Sequence, residues 1–214
     1  MAVFTPVTFN QAEEFINGTG LVLRDIHPIA EGTDNSNFRL DTHDGPRILT
    51  VFESRVNPAH LPKVFSWMTA LSTAGFPVPC PVNLSGGSLG QIKGKPAAIM
   101  AFMPGASVMR PKHPHILAMG EILGRLHHFS QSDQNQPDLP DNDLSLHAWH
   151  TLFTDHRAAM TPAHETLILK TLKHLDDGWP DTGTPAGNVH ADLFPDNIFF
   201  EGHKISGIID FYFS

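Results

Sequence analysis

The sequence predicts an α+β fold arranged as two lobes or two small domains. Three observations carry this. Runs rich in β-branched residues, separated by turn residues, occupy 21–53; beyond residue 104 the apolar residues recur every three and four positions; and a closing pair of apolar runs, 198–200 and 205–211, flanks the turn sequence Glu201-Gly202-His203-Lys204. With 214 residues, 41% of them hydrophobic, the chain has ample material for a packed core. The boundary falls at Met103-Pro104-Gly105, where an apolar strand ends in a turn and helices take over, which gives 1–103 and 104–214 as the two units.

The elements follow in order. Behind a Thr8 cap, Phe9, Ala12, Phe15 and Ile16 share one helical face, with Gly18 as a stop. Three antiparallel strands are expected over 21–30, 38–40 and 47–53, the last two joined by a turn at Asp44-Gly45. Residues 58–74 read as an amphipathic helix with Leu61, Val64, Phe65, Met68 and Leu71 as core positions. The prolines of 76–81 force an extended segment, because each bars its predecessor from helix. A Gly-rich hairpin leads into a strand over 96–103. A helix over 113–130 presents Ile116, Met119, Leu123 and Leu126, and its Gly120 and Gly124, four apart, suit close packing against another helix. After a polar loop over 132–143, Thr161 caps a helix ending near residue 176 with Leu167, Ile168, Leu172 and Leu175 apolar.

Composition excludes several classes of function. A formal net charge of -8 disfavours a nucleic-acid partner. Cys80 is the sole cysteine, so no intrachain disulfide forms and a reducing compartment fits. The opening MAVFTPVTFN has no positive region followed by a long apolar run, and no stretch reaches membrane-spanning length, so the expectation is a soluble, cytoplasmic protein with no membrane partner. The 14 histidines suggest metal binding, but His127-His128 and the pair His147 and His150 have neither cysteine pairs nor a His-Glu-x-x-His segment, and solvated surface histidines are expected.

The chemistry concentrates in NVHADLFPDNIFFEGHKISGIIDFYFS. His190, Asp192 and Asn197 stand as H-x-D-x-x-x-x-N, the spacing of a kinase catalytic loop, and Asp210 follows thirteen residues after the Asn. Gly202 suits the first central position of a II′ turn, which sets Phe200 opposite Ile205 and Asn197 opposite Ile208. Asp210 then becomes the diagonal neighbour of Asn197, about 7 to 8 Å away, so that an amide oxygen and a carboxylate converge on a magnesium ion and the phosphates it bridges. A carboxylate between Ile209 and Phe211 is costly to bury without a cation. Asp192, on the loop facing the same cleft, is placed to orient an acceptor hydroxyl and take its proton. Asp196 braces the loop by bonding its own backbone.

HADLFPDN followed by GIIDFYF resembles the homoserine kinase family, within the group of small-molecule kinases similar to aminoglycoside phosphotransferases. The resemblance implies a protein-kinase-like two-lobe fold, with an antiparallel-sheet N-lobe and a mainly helical C-lobe. It implies ATP and Mg2+ as cofactors and L-homoserine as the small-molecule substrate. Asp192 would be the catalytic base, His190 the residue bracing its loop, and Asn197 and Asp210 the metal ligands. Gly32 and Asn35 match the phosphate-covering loop within 31–37, and Met100, Ala101 and Phe102 match the hinge whose backbone meets adenine. One departure stands out. Related kinases carry a Lys in the third strand, paired with a Glu on the next helix, whereas this strand reads ILTVF with Thr50 at that position and the helix over 58–74 has no Asp or Glu. Either the phosphates rely on magnesium, loop amides and another cation such as Arg47 or Arg55, or nucleotide binding is impaired.

The resemblance also implies a run of helices after the metal-binding Asp, and here Ser214 follows Asp210 by four residues. A truncated chain is therefore expected, with apolar surface available for self-association and weak or no activity. A kinase of another small hydroxyl compound and a non-catalytic remnant remain the alternatives.

Overall fold

The computed structural model describes residues 5–30, 35–53, 56–131, 145–178 and 187–213. Gly32 and Arg55 lie outside them, as do the loop over 132–143 and its prolines.

A five-stranded antiparallel sheet, in the order β1-β2-β3-β5-β4, is built from β1 (Leu23–Ile29), β2 (Asn35–Thr42), β3 (Gly45–Phe52), β4 (Gly90–Ile92) and β5 (Lys95–Ala101). Alternation of side chains divides it into two faces. Phe38, Leu40, Leu49, Val51, Ala97 and Ile99 lie on one, packed with Ala12 and Ile16 of α1 (Phe9–Ile16). Phe52, Ala98 and Met100 lie on the other, in one cluster with Leu61, Val64, Phe65, Trp67, Met68 and Leu71 of α2 (Leu61–Thr73). The core positions expected on α2 are all buried, and the Thr8 cap on α1 is a reciprocal capping box with Gln11. Phe9, expected on the packed face of α1, instead stands at its exposed margin.

Local backbone chemistry sets the turns. The β2–β3 turn is His43-Asp44, one residue earlier than expected, since Thr42 pairs with Gly45 and the Thr42 hydroxyl donates to the Gly45 carbonyl at 2.7 Å. Lys93 and Gly94 both take positive φ between β4 and β5, as a I′ turn requires. The proline-rich stretch is extended and borders β5: Val82 N–H donates to the Ile99 carbonyl and Ala101 N–H to the Cys80 carbonyl. At the far end of β3, burial alone would raise the Glu53 pKa, but hydrogen bonds from Lys95, Ser36 and Thr5 outweigh it and hold the carboxyl below its ordinary value.

A second, three-stranded sheet joins β6 (Ala106–Ser107) to the hairpin of β7 (Ile198–Glu201) and β8 (Lys204–Ile208). Phe200 pairs with Ile205 as expected and Gly202 has φ +64°, but the register slips by one between Phe199 and Phe200. Ser206 is the extra residue of a bulge, its hydroxyl held by the Pro104 carbonyl at 2.6 Å, and Ile208 faces Ile198. Asn197 therefore does not oppose Ile208. It ends a 3-10 turn, Pro195–Asn197, and its carbonyl accepts from Ile209 N–H at 3.0 Å.

Helix α3 (His113–Ser130) corrects its sequence reading in two ways. Its buried face is His115, Ile122, Leu126 and Ser130, while Ile116 is 51% exposed. Gly120 and Gly124 are exposed, and a Cβ at either would meet nothing within 4 Å, so neither packs closely against another helix among the described residues. Helix α4 (Leu146–His156) has no counterpart in the sequence reading, although Ser145 caps it through Ala148 N–H at 3.1 Å and Leu146, Trp149 and Phe153 recur at helical spacing. It packs against α5 (Pro162–Gly178), with His150 bonded to Asp176 at 2.8 Å; Phe153 and Leu172 are the buried residues of the two helices, while Leu167 is exposed. Not every histidine is solvated. His115 is buried, its Nδ1 accepting from Lys112 N–H at 3.0 Å and its Nε2 facing the Gly202 carbonyl at 3.2 Å.

Gly105 and Gly120 give opposite expected outcomes. At Gly105, with φ +94°, a Cβ would lie 2.4 Å from Ser206 Oγ and 2.7 Å from the Phe200 carbonyl oxygen. Gly105→Ala is expected to lower unfolding stability by about 2 to 3 kcal/mol, whereas Gly120→Ala raises it by up to about 1 kcal/mol. Thermal or urea melts of the two variants read both signs.

Candidate active site

Three groups predicted from sequence come together where the loop over 187–194 meets the hairpin. The His190 side chain is 1% exposed, against Phe211 at a ring-centroid distance of 4.5 Å. Its Nε2–H donates to the Ile209 carbonyl at 2.7 Å and its Nδ1 accepts from Asp192 N–H at 3.3 Å. Those two bonds define a neutral imidazole with the proton on Nε2. Burial pushes the His190 pKa down from its ordinary 6.5, against the smaller opposing effects of the Ile209 carbonyl and the Asp192 charge.

Asn197 is buried, and its Nδ2 donates to the Asp192 carbonyl at 2.8 Å and to Asp192 Oδ2 at 3.2 Å. With the nitrogen engaged, Oδ1 is the atom left to act as a ligand. Asp210 follows Ile209, whose N–H and carbonyl are held by Asn197 and His190 respectively, so its backbone position is fixed from both sides. Asp192 and Asp210 are both half-buried. The backbone is strained here, with Ala191 at φ +60° and Asp210 at φ +65°, a region disfavoured for residues with a side chain. Sequence carried no signal for the left-handed turn at Ala191. The Tyr212 phenol is pushed well above its ordinary value by burial and by the Asp210 carboxylate.

An amide oxygen and a carboxylate are hard oxygen donors, the set a magnesium ion takes together with substrate phosphates and water. Among the described residues no three His, Cys, Asp or Glu side chains group as a metal cage, which is compatible with a site completed by phosphate oxygens. Asp192, Asn197 and Asp210 thus fit a metal-phosphate group.

The nucleotide-side residues are distributed as follows. Asn35 is buried, its Oδ1 accepting from Glu53 N–H at 3.4 Å, so it braces the end of β3. Thr50 is 4% exposed and its hydroxyl donates to Asn37 Oδ1 at 2.8 Å. Met100 is buried in the core beside α2, Ala101 ends β5, and Phe102 is partly exposed beneath the Arg39 guanidinium, 5.6 Å from its ring centroid. Arg47 does not lie beside Thr50. It pairs in register with Leu40 on the α1 face and bonds the Pro46 carbonyl, which removes it as the substitute cation.

The sequence pattern of the phosphotransferase enzyme family matches residues 25–214, and the chain belongs to that family. Within it the chain stands with the homoserine kinases: it is 42% identical over 219 residues to the homoserine kinase of Xanthobacter autotrophicus and 40% identical over 220 residues to that of Caulobacter vibrioides. Both alignments cover all of this chain and about two thirds of the relative, 67% and 68%. Among solved structures, spectinomycin phosphotransferase in complex with ADP and spectinomycin has a TM-score of 0.64 at 16% identity, covering 97% of this chain and 69% of that one. A thermostable aminoglycoside phosphotransferase variant bound to AMP-PNP and hygromycin B has a TM-score of 0.65 at 16% identity, covering 94% and 71%. The fold is accordingly the protein-kinase-like fold of aminoglycoside phosphotransferases.

The buried neutral imidazole has a pH consequence. A folded His190 that resists protonation stabilises the fold fully above its unfolded value near 6.5, and that stability is lost as pH falls below it. His190→Gln keeps an N–H for the Ile209 carbonyl without a titrating ring. Between pH 7.5 and 5.5 its unfolding free energy is expected to fall less steeply than wild type, by at most about 1.4 kcal/mol per pH unit, as read by urea melts across that range.

Proposed function

We propose that the protein is a homoserine kinase, transferring the γ-phosphoryl group of ATP to the side-chain hydroxyl of L-homoserine. The observation that carries this is the bonded set at the loop–hairpin junction: Asn197 Nδ2 on Asp192, and Asn197 O and His190 Nε2 on the two sides of Ile209, one residue before Asp210. The 42% identity to a homoserine kinase supports the choice of acceptor.

In this reading Asp192 orients the acceptor hydroxyl. Its oxygen bonds to the γ-phosphorus as the bond from that phosphorus to the bridging oxygen breaks, the hydroxyl proton passes to the Asp192 carboxylate, and ADP leaves with the bond's electron pair. Asn197 Oδ1 and the Asp210 carboxylate would hold Mg2+, which supplies positive charge against the phosphate oxygens. His190 holds the loop to the hairpin through the Ile209 carbonyl. By resemblance to related kinases, Gly32, Asn35 and Thr50 would serve the phosphates, and the backbone of Met100, Ala101 and Phe102 would take the adenine. We assign 1–103 to the nucleotide lobe and 104–214 to the catalytic lobe. No helix among the described residues is long and apolar enough to cross a membrane.

The test is ADP release from Mg2+-ATP with and without L-homoserine. Homoserine-dependent release is expected, and Asp192→Ala should lower it by about 100-fold to 10,000-fold. Release that depends instead on another amino alcohol or a sugar would reassign the acceptor, and release equal in wild type and Asp192→Ala would remove the base.

A further inference from the structure

We infer that Asn37 is a phosphate-binding residue for the nucleotide and that Thr50 positions it, a neutral pair in the place of the lysine that related kinases carry. The inference rests on the kinase reading above and names a residue within it.

The sheet register supplies the placement. Asn37 pairs with Thr50, and Thr50 with Ala98, so all three share a face with Phe52 and Met100. That face looks toward the catalytic hairpin. The Phe52 ring meets the Tyr212 ring edge-on at 5.1 Å, and Tyr212 lies two residues beyond Asp210. Thr50 sits one strand repeat from Phe52 on the same face, about 7 Å along β3. Asn37 is half-buried there, on the strand that begins at Asn35.

The hydrogen bond supplies the orientation. The Thr50 hydroxyl donates to Asn37 Oδ1 at 2.8 Å. A carboxamide whose oxygen is fixed in this way presents its two N–H donors in the opposite direction, and hydrogen bonds from such donors to an anionic oxygen are among the stronger ones. The neutral pair also needs no counter-charge, in keeping with an α2 that contains no Asp or Glu and with Arg47 on the opposite face. A purely structural cross-strand pair would make the same bond, so the test has to separate the phosphate tail from the nucleoside.

Calorimetric binding of AMP-PNP with Mg2+, and of adenosine, is measured for wild type, Asn37→Asp, Thr50→Val and Thr50→Ser. Asn37→Asp still accepts from the Thr50 hydroxyl, so the strand pair survives while the donors become an anion. AMP-PNP affinity is expected to fall at least about tenfold with adenosine affinity unchanged. Thr50→Val should weaken AMP-PNP alone by about threefold to tenfold, and Thr50→Ser should restore it. Unchanged AMP-PNP affinity in Asn37→Asp overturns the inference while leaving the kinase reading intact. Equal losses for AMP-PNP and adenosine, with a lowered melting temperature, also overturn it, in favour of a structural pair. Wild-type affinity in Thr50→Val overturns the positioning role of Thr50. A wild-type chain that binds neither AMP-PNP nor adenosine takes down the kinase reading and this inference together.

Discussion

The candidate site depends on one hydrogen bond, from His190 Nε2–H to the Ile209 carbonyl. The imidazole is buried against Phe211 and has no water to fall back on, so an unpaired N–H or carbonyl there would cost about 1 to 3 kcal/mol. The bond ties the loop that carries Asp192 to the strand end that carries Asp210. Asn197 completes the tie by accepting from Ile209 N–H and donating to Asp192. Asp192 and Asn197 are thus held to one another, through the Asp192 carbonyl and Oδ2, and Asp210 is placed through the backbone of Ile209. The positive φ at Ala191 and Asp210 is the local cost of that arrangement, offset by the bonds on either side.

The two-faced sheet explains why this junction sits where it does. One face is closed by α1, and the other forms a single cluster with α2, α3 and the hairpin, through Phe52, Leu126, Ile208 and Phe211. Because Ile208 N–H also donates to the Pro77 carbonyl, the hairpin is fixed to the extended proline segment bordering β5. The face bearing Asn37, Thr50 and Met100 is therefore turned toward Asp210 by packing that involves none of the reactive groups.

Local features of this fold are legible in the sequence, and those set by distant parts of the chain are less so. The Thr8 cap, the buried row of α2 and the Phe200–Ile205 pairing follow from spacing and turn chemistry alone. The bulge at Ser206 does not, because its cause is the Pro104 carbonyl, about a hundred positions earlier in the chain. That one residue moved Asn197 out of the strand pair predicted for it. The outward turn of Ile116 has a similar origin, since His115 took the buried position to reach the Gly202 carbonyl. Helix α4 had a cap and a periodic apolar row, but its histidines and threonines diluted the pattern. The H-x-D-x-x-x-x-N spacing singles out Asp192 and Asn197, which the fold joins by hydrogen bonds, whereas the exclusion of Arg47 needs the register between β2 and β3.

The most direct test of the lock is the tautomer of His190, read by imidazole nitrogen NMR on labelled protein at neutral pH. The account predicts a neutral ring with the proton on Nε2 that stays neutral below the titration of an exposed histidine. An imidazolium at neutral pH, or a ring protonated on Nδ1, would contradict it, since neither leaves Nδ1 free to accept from Asp192 while Nε2 donates to Ile209.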